Sequence, residues 1–443
     1  MEHIRHLIAE ALGRIAAGRP VIVMSMHERD VSAWERLLTD AGTRHLVVAL
    51  EREFKPGRPI SGPSAHLAFH HEVVARLVLG PSRLDDFDPA GRADLIVPDP
   101  LLPPLTGGRI QLGRRRPDWA LVEDKMLIDP LWDLAGIDRA PALTCDSVRD
   151  VADLARAVDE GRGVVASCQH RGHGPRAGAE GIWWWRNTPP AAFPSQAHDL
   201  RVRLMPLLEG LPCRVHGMVA AEGVTVFPPM ELLSLPRPST GTFLWAGAVP
   251  LGDHPRSSEL RRVAERSGAF LRDRFGYRGL FASDGILTTD GYRPTELTTR
   301  LTSAFESAPS ELRVMLHAAT VLTRAGLPLP DLGALVSSAL TSDLVTVFGA
   351  SARADIAPFE SGIAWDGIRW LPDEATDQGT LTVRPWIRGW QLRATVRRGK
   401  LPADMPIGMI APRLFHLADT QFGTSFGEVT PPFGLDVSSA RRP

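Results

Sequence analysis

A chain of 443 residues exceeds one ordinary core, so two to four domains of roughly 100–200 residues each are expected. With 50 Lys+Arg against 51 Asp+Glu, 44% apolar and 23% charged residues, the composition points neither to disorder nor to a nucleic-acid partner. No stretch reaches the ~20 continuous apolar residues that span a bilayer. The opening "MEHIRHLIAEALGRIAAGRP" has neither an h-region nor a cleavage site, so a cytoplasmic protein without a membrane partner is expected.

That opening segment reads as a structural helix with apolar residues at helical spacing. "RPVIVMSM" (19–26) and "HLVVAL" (45–50) follow as β-branched runs separated by the helical "SAWERLLTDAG", and "ADLIVPDP" (93–100) adds a further strand. The alternation predicts an open α/β domain over 1–118, closed by the turn-rich "PLTGGRIQLGRRRPDW" (104–119). From 119, "WALVEDKMLIDPLWDLAG" predicts a helix ending at Ala135–Gly136, followed by the extended "APALT". "SVRDVADLARAVDEG" predicts another helix, leading into the buried strand "GVVASC" and a glycine-rich loop from Gly172 to Gly181. Residues 213–235 read as strand, Glu-Gly turn and strand, and 257–276 as an amphipathic helix. "YRGLFASDGILTTDGYRPTELTTR" (277–300) is a hairpin around "TTDG". The remainder, 303–443, is expected to be a mixed accessory domain: a helix-rich portion, alternating strands over 379–399 and a Gly/Pro-rich tail.

Asp284 and Glu296 lie on the two strands of that hairpin, with Arg300 four residues further on. Two carboxylates from paired strands suit a divalent cation bridging phosphates, and an arginine beside them suits an oxyanion. The competing view is a surface hairpin, because "SDG" and "TDG" are ordinary turn sequences. His66 with His70, and His170 with His173, have spacings a metal can use but lack a third ligand. His216 and Glu231 read as structural, and of Trp183, Trp184 and Trp185 at least one should enter the core. The basic "GRRRP" (113–117) reads as a solvated face, or as an attractor of a carboxylate. Cys145, Cys168 and Cys213, without CxxC spacing, read as reduced thiols.

The order of these parts resembles the ATP-grasp superfamily. The matching features are Asp124–Lys125, the glycine loop, a linker from Met205 to Gly210, Asp284, and "ELTTR" with Glu296 and Arg300. The resemblance covers about 119–302 and implies an α/β chain with an α+β ATP-grasp fold, including a lid subdomain at about 140–210. It implies ATP and Mg²⁺ as cofactors, and a ligase that joins a small carboxylate to an amine through an acyl-phosphate. Lys125 would bind phosphate, and Met205, Leu207, Leu208 and Glu209 would line the adenosine. Asp284, Glu296 and Thr298 would hold the metal, and Arg300 would meet the acyl-phosphate. Two positions depart from the pattern. Thr298 stands where the family has asparagine, and Ala166, Ser167 or Cys168 stands where it has a second lysine, leaving Arg171 and Arg176 as the nearest cations. "LLEGLPCRVHGMV" and "FGTSFGE" further resemble an actinobacterial group that includes the pheganomycin-type peptide ligases, which implies amino acid or peptide substrates and antibiotic biosynthesis. The departures keep two alternatives open: a nucleotide-binding protein without catalysis, and the same fold with a non-amine acceptor. A homodimer is also compatible with the resemblance.

Overall fold

The structure, a computed structural model, describes residues 1–53, 62–80, 82–97, 107–170, 180–194, 199–341, 343–351, 357–386 and 389–435. The chain opens with α1 (Glu2–Ala16), β1 (Val21–Ser25), α2 (Val31–Asp40), β2 (His45–Ala49), α3 (Leu50–Glu53), α4 (Gly62–Leu79), α5 (Arg83–Phe87) and β3 (Asp94–Ile96). Its three strands are parallel in the order β2-β1-β3, as the βαβ alternation predicts. Strand β1 is buried on both faces. Val21 and Val23 join a core with Leu12, Trp34 and Leu38, while Ile22 and Met24 join another with Phe69 and Val73. A parallel strand covered on both sides presents its C-terminal end, here Ser25 and the residues after it, as the place for a ligand.

Next come α6 (Pro117–Ala120), α7 (Ile128–Leu134), β4 (Leu143–Cys145), α8 (Val151–Val158), β5 (Val164–His170), β6 (Ile182–Trp185) and β7 (Leu200–Pro206). The helix expected to run continuously to Gly136 is broken. A 3₁₀ turn follows α6, Asp124 turns extended, and α7 resumes three residues beyond Lys125. Two features cause the break: the Asp124 carboxylate accepts the Met126 N–H at 2.8 Å, and Pro130 removes a donor that a continuous helix needs. Strands β4 to β7 form a four-stranded sheet in the order β4-β7-β5-β6, and α8 packs on it through Val151, Ala155 and Val158.

The central sheet contains β8 (Leu211–Val219), β9 (Val224–Val226), β10 (Met230–Arg237), β11 (Thr242–Pro250), β12 (Gly279–Thr288) and β13 (Gly291–Thr298), with α9 (Ser257–Phe275) between β11 and β12. Its order is β11-β10-β8-β12-β13, with β9 on β8. Alternation along β8 sends Cys213, Val215 and Val219 to the core beneath α9, together with Phe281 of β12 and Leu297 of β13. Gly217 and Gly268 both lack a side chain where the Phe281 ring sits between sheet and helix: a Cβ on either would come within 3.0 Å of it. The opposite face therefore carries Arg214, His216, Asp284, Glu296 and Thr298, and this is the face on which the site is built.

The chain ends with α10 (Ser310–Arg324), α11 (Leu332–Leu340), β14 (Leu344–Ser351), β15 (Phe359–Trp365), β16 (Trp370–Pro372), β17 (Gly379–Trp386), β18 (Gly389–Arg397) and α12 (Ile407–Phe422). Helix α10 shares one core with α1 and α2 and with Met218 and Leu280 of the central sheet, joining the first and central units. The strands pair in the order β14-β18-β17-β15-β16. Helix α12 lies where only a Gly/Pro-rich tail is expected from the sequence. It forms despite the internal Pro412 because Ile407, Ile410, Leu414 and Phe415 are buried against β10, β11 and the last sheet. No helix among the described residues is long and apolar enough to cross a membrane.

Glu231 of β10 fixes the start of α12, accepting the N–H groups of Ile407 at 3.0 Å and Gly408 at 2.6 Å. Burial pushes its carboxyl up to about 7 from 4.5, against the pull of those two amides. The folded state therefore binds more protons than the unfolded chain between these values, and this contribution to stability is lost as pH rises from about 4.5 to about 7. Glu231→Gln removes the titration and one acceptor. In urea unfolding the variant should be less stable than wild type at pH 5, and the gap should narrow by on the order of a few kcal/mol by pH 8.

Candidate functional site

The register of the central sheet lines up three charged residues. Asp284 stands opposite Arg214 on one side and opposite Glu296 on the other. The Glu296 pairing depends on a bulge: Gly285 faces Pro294, so an unbroken ladder would set Asp284 against Thr295. Thr295 is the extra residue, and Glu296 takes its place on the site face. Gly285 permits the bulge, since a Cβ there would lie 2.4 Å from the Arg293 carbonyl oxygen. "SDG" is thus mid-strand, and only "TDG" forms the turn.

Both carboxylates have cationic partners. Arg214 Nε and Nη2 donate to the two oxygens of Asp284, and Nη1 donates to Thr302 Oγ1 at 2.6 Å. His216 Nε2 meets the same hydroxyl at 2.8 Å. Burial works against the charge on Arg214, but Asp284 outweighs it and holds the pKa above its ordinary value. Burial, with Arg214 beside it, keeps His216 neutral, well below the usual range. Lys125, in the break before α7, places Nζ 2.9 Å from Glu296 Oε2. The site face therefore reads Arg214, Asp284, Glu296, Lys125, with two positive and two negative charges.

Behind it is a buried knot centred on Glu123. Its carboxylate accepts the Thr299 N–H at 2.8 Å and the Thr299 hydroxyl at 2.7 Å, and pairs with Arg115 at 2.5 Å and Arg300 at 3.4 Å. Burial raises this carboxyl, but Arg300 and Arg115 outweigh burial and leave it below the usual carboxylate range. Arg115 belongs to the basic "GRRRP" run and is buried in this knot, not solvated. Among the described residues Arg300 is tethered only through Nε, and it lines a cavity of about 560 Å³. The wall of that cavity draws on the end of β1, α4, β6, the β10–β11 connection, α10 and β14. Glu180 and Gly181 border it and also border a cleft of about 10 Å³ beside Lys125 and Glu123.

The proposed linker leads from β7 into β8. Met205 and Leu207 are buried, and the Leu207 N–H donates to the Gly163 carbonyl at 2.8 Å. Leu208 and Glu209 are half-buried, and Glu209 pairs with Arg162 at 2.9 Å. Arg176, Arg171 and His173 lie outside the described residues, as does the side chain of His170. The His66 and His70 rings are 4.3 Å apart, but no group of three or more His, Cys, Asp or Glu able to hold a metal occurs among the described residues. Trp185 enters the core between α8 and the four-stranded sheet, Trp183 packs against that core and lines the cavity, and Trp184 Nε1 donates to the Thr242 carbonyl at 3.0 Å. Among the described residues Cys145, Cys168 and Cys213 form no disulfide. Arg214 and Glu123 escape a sequence reading that weighs only motif positions; each is signalled only as a charged residue inside an otherwise apolar stretch.

No protein-family model and no curated protein matches this sequence. Among solved structures, the biotin carboxylase of Campylobacter jejuni, determined as a β-γ-ATP complex, superposes with a TM-score of 0.53 at 11% identity, over 96% of this chain and 95% of that one. The phosphoribosylamine–glycine ligase of Thermotoga maritima gives 0.50 at 13% identity, over 92% and 98%. These are likenesses of fold, and the fold they share with this chain is the ATP-grasp fold.

The residues fit magnesium poorly as they stand. Asp284, Glu296 and Thr298 share a face, and Thr298 Oγ1 is buried without a hydrogen-bond partner. The two carboxylates, however, are already neutralised by Arg214 and Lys125. The buried Arg214–Asp284 pair makes its own prediction. Arg214→Met strands a carboxylate in the core and should cost about 3–5 kcal/mol in chemical denaturation, whereas Arg214→Met combined with Asp284→Leu should recover most of that loss.

Proposed function

We propose that this chain is an ATP-dependent carboxylate–amine ligase acting on amino acids or short peptides. The observation that carries the reading is the Lys125–Glu296 pair on the site face of the central sheet, with Arg300, just beyond β13, lining a cavity large enough for a small substrate. Lys125 exchanges Glu296 for the oxygens of the triphosphate. Met205, Leu207, Leu208 and Glu209 border the adenosine, and the four-stranded sheet acts as a lid that excludes water. A substrate carboxylate oxygen attacks the γ-phosphorus, the bond from that phosphorus to the β–γ bridging oxygen breaks, and ADP leaves. The amine nitrogen then attacks the acyl carbon, phosphate departs with the bonding electrons, and the amine gives up a proton. Arg300, held at Nε by Glu123, offers its free nitrogens to the negative charge that develops on the acyl group. Magnesium is expected to arrive on the nucleotide, and occupation of the sheet by the ion would require Lys125 to release Glu296.

One observation favours a second reading, a nucleotide binder without catalysis: the charges of the site row are balanced within the protein. An ADP-release assay with a panel of carboxylates and amines separates the two. A ligase releases ADP only when both substrates are present, and an enzyme with a non-amine acceptor releases it without amine. In the ligase, Arg300→Ala should lower kcat about 10²–10³-fold, and Glu296→Ala should abolish amine-dependent turnover with the fold intact by circular dichroism. Tight ATP binding in calorimetry with no turnover across the panel would favour the second reading.

A further inference from the structure

On the ligase reading Lys125 meets the triphosphate, yet one ammonium leaves most of a triphosphate's negative charge unmatched. The four-stranded sheet turns further cations toward the same place. Along β7, Leu200, Val202 and Leu204 enter the core beneath α8, so Arg201 and Arg203 stand on the opposite face. Their partners show what that face looks upon: Arg203 binds Asp129 of α7, and Arg201 approaches Asp124, the residue before Lys125. Gln169, opposite Arg201 in the β5–β7 register, borders the small cleft together with Lys125.

The two arginines differ in what they have left to give. Arg203 is buried, and Asp129 accepts from its Nε at 2.7 Å and its Nη2 at 2.6 Å, so it fastens the sheet to α7. Arg201 is partly exposed. Its Nε donates to Asp146 at 3.1 Å, its Nη1 lies 3.7 Å from Asp124, beyond hydrogen-bond reach, and among the described residues its two terminal nitrogens donate no hydrogen bond. Asp146 is itself largely exposed, and the Asp124 carboxylate already accepts the Met126 N–H, so both contacts are weak ones for Arg201 to exchange. We infer that Arg201 is a second phosphate-binding cation: its terminal nitrogens take oxygens of a nucleotide's polyphosphate chain from the side of the four-stranded sheet, while Lys125 meets the chain from the side of the central sheet. This rests on the ligase reading for the identity of the ligand as a nucleotide. The grip on phosphate is tested without one.

Calorimetry with ATP, adenosine and inorganic tripolyphosphate, on the wild-type chain, Arg201→Gln, Arg201→Lys and Asp146→Asn, separates phosphate contact from a structural role. Arg201→Gln should weaken ATP and tripolyphosphate about 10- to 100-fold and leave adenosine unchanged, and Arg201→Lys should keep part of the affinity. Asp146→Asn relieves Arg201 of a competing carboxylate and should hold or strengthen ATP binding. If Arg201 served only as the structural partner of Asp146, the two substitutions would weaken ATP alike. Circular dichroism confirms the fold of each variant. Equal ATP binding by the wild-type chain and Arg201→Gln, a parallel loss of adenosine binding, or a matching loss in Asp146→Asn would overturn the inference. A wild-type chain that binds neither ATP nor tripolyphosphate would overturn it together with the ligase reading. Arg201-dependent binding of ATP or tripolyphosphate without ADP release across the panel of carboxylates and amines would sink the ligase reading alone and leave the phosphate grip standing.

Discussion

The site depends on one buried ion pair across β8 and β12. Arg214 spends its whole fork on Asp284 and Thr302, and that fixes three things together: the face on which Asp284 sits, the register of β8 against β12, and the position of the segment after β13 that carries Thr302. A buried guanidinium without its carboxylate would carry a large desolvation penalty, so a slipped register is disfavoured more strongly than by backbone hydrogen bonds alone. Glu296 then follows from the bulge, and Lys125 follows from Glu296.

A second tier holds Arg300. Arg300 lies just beyond the sheet, where a strand end would ordinarily be loose. Glu123 ties down its neighbour Thr299 through both backbone and hydroxyl and tethers Arg300 through Nε. Arg115, from the segment that follows the first sheet, closes the knot, and Arg324 of α10 donates to the Gly113 carbonyl at 2.9 Å. The segment joining the first sheet to the rest is therefore bound to the same carboxylate that positions Arg300. Displacement of one unit against the other would be felt at the cavity.

Much of this was legible in the sequence. The βαβ alternation before residue 100 gave the parallel sheet, because β-branched runs with a helix between them have few other ways to bury both faces. Spacing around a two-residue turn brought Asp284 and Glu296 together on paired strands. What remained hidden was long-range. The bulge that exchanges Thr295 for Glu296 is hinted at only by Pro294, and no local pattern reveals that Arg214 will meet Asp284 from seventy residues away. Helix α12 was missed because its glycine and prolines read as loop composition, whereas its stability comes from burial against β10 and β11. In the basic run at 113–117 only Arg115 departs from the expected solvated face: Arg114 and Arg116 are exposed, whereas Arg115 finds its carboxylate through tertiary packing and not through sequence proximity.

The two spaces at the site differ in size by a large factor, and Glu180 and Gly181, just before β6, border both. The cleft beside Lys125 holds about 10 Å³, room for about one water, so on the ligase reading a triphosphate reaches Lys125 only if the four-stranded sheet moves away from the central sheet. What holds it is specific: the Trp184 N–H donates to the Gly241 carbonyl at 2.7 Å, its indole to Thr242, and its ring packs edge-on against Phe433 at 4.7 Å. The carbonyl of Phe433 in turn accepts the Gly210 N–H at 2.8 Å, which places the C-terminal segment across the end of the linker. Each hydrogen bond contributes only about 1 kcal/mol net, so the opening that the ligase reading requires costs little at these contacts. The same sheet and the segment leading into β6 supply Glu180, Gly181 and Trp183 to the large cavity. On the ligase reading, opening for nucleotide would therefore unmake part of the cavity wall and closing would rebuild it, which would couple the two ligands even where they do not touch.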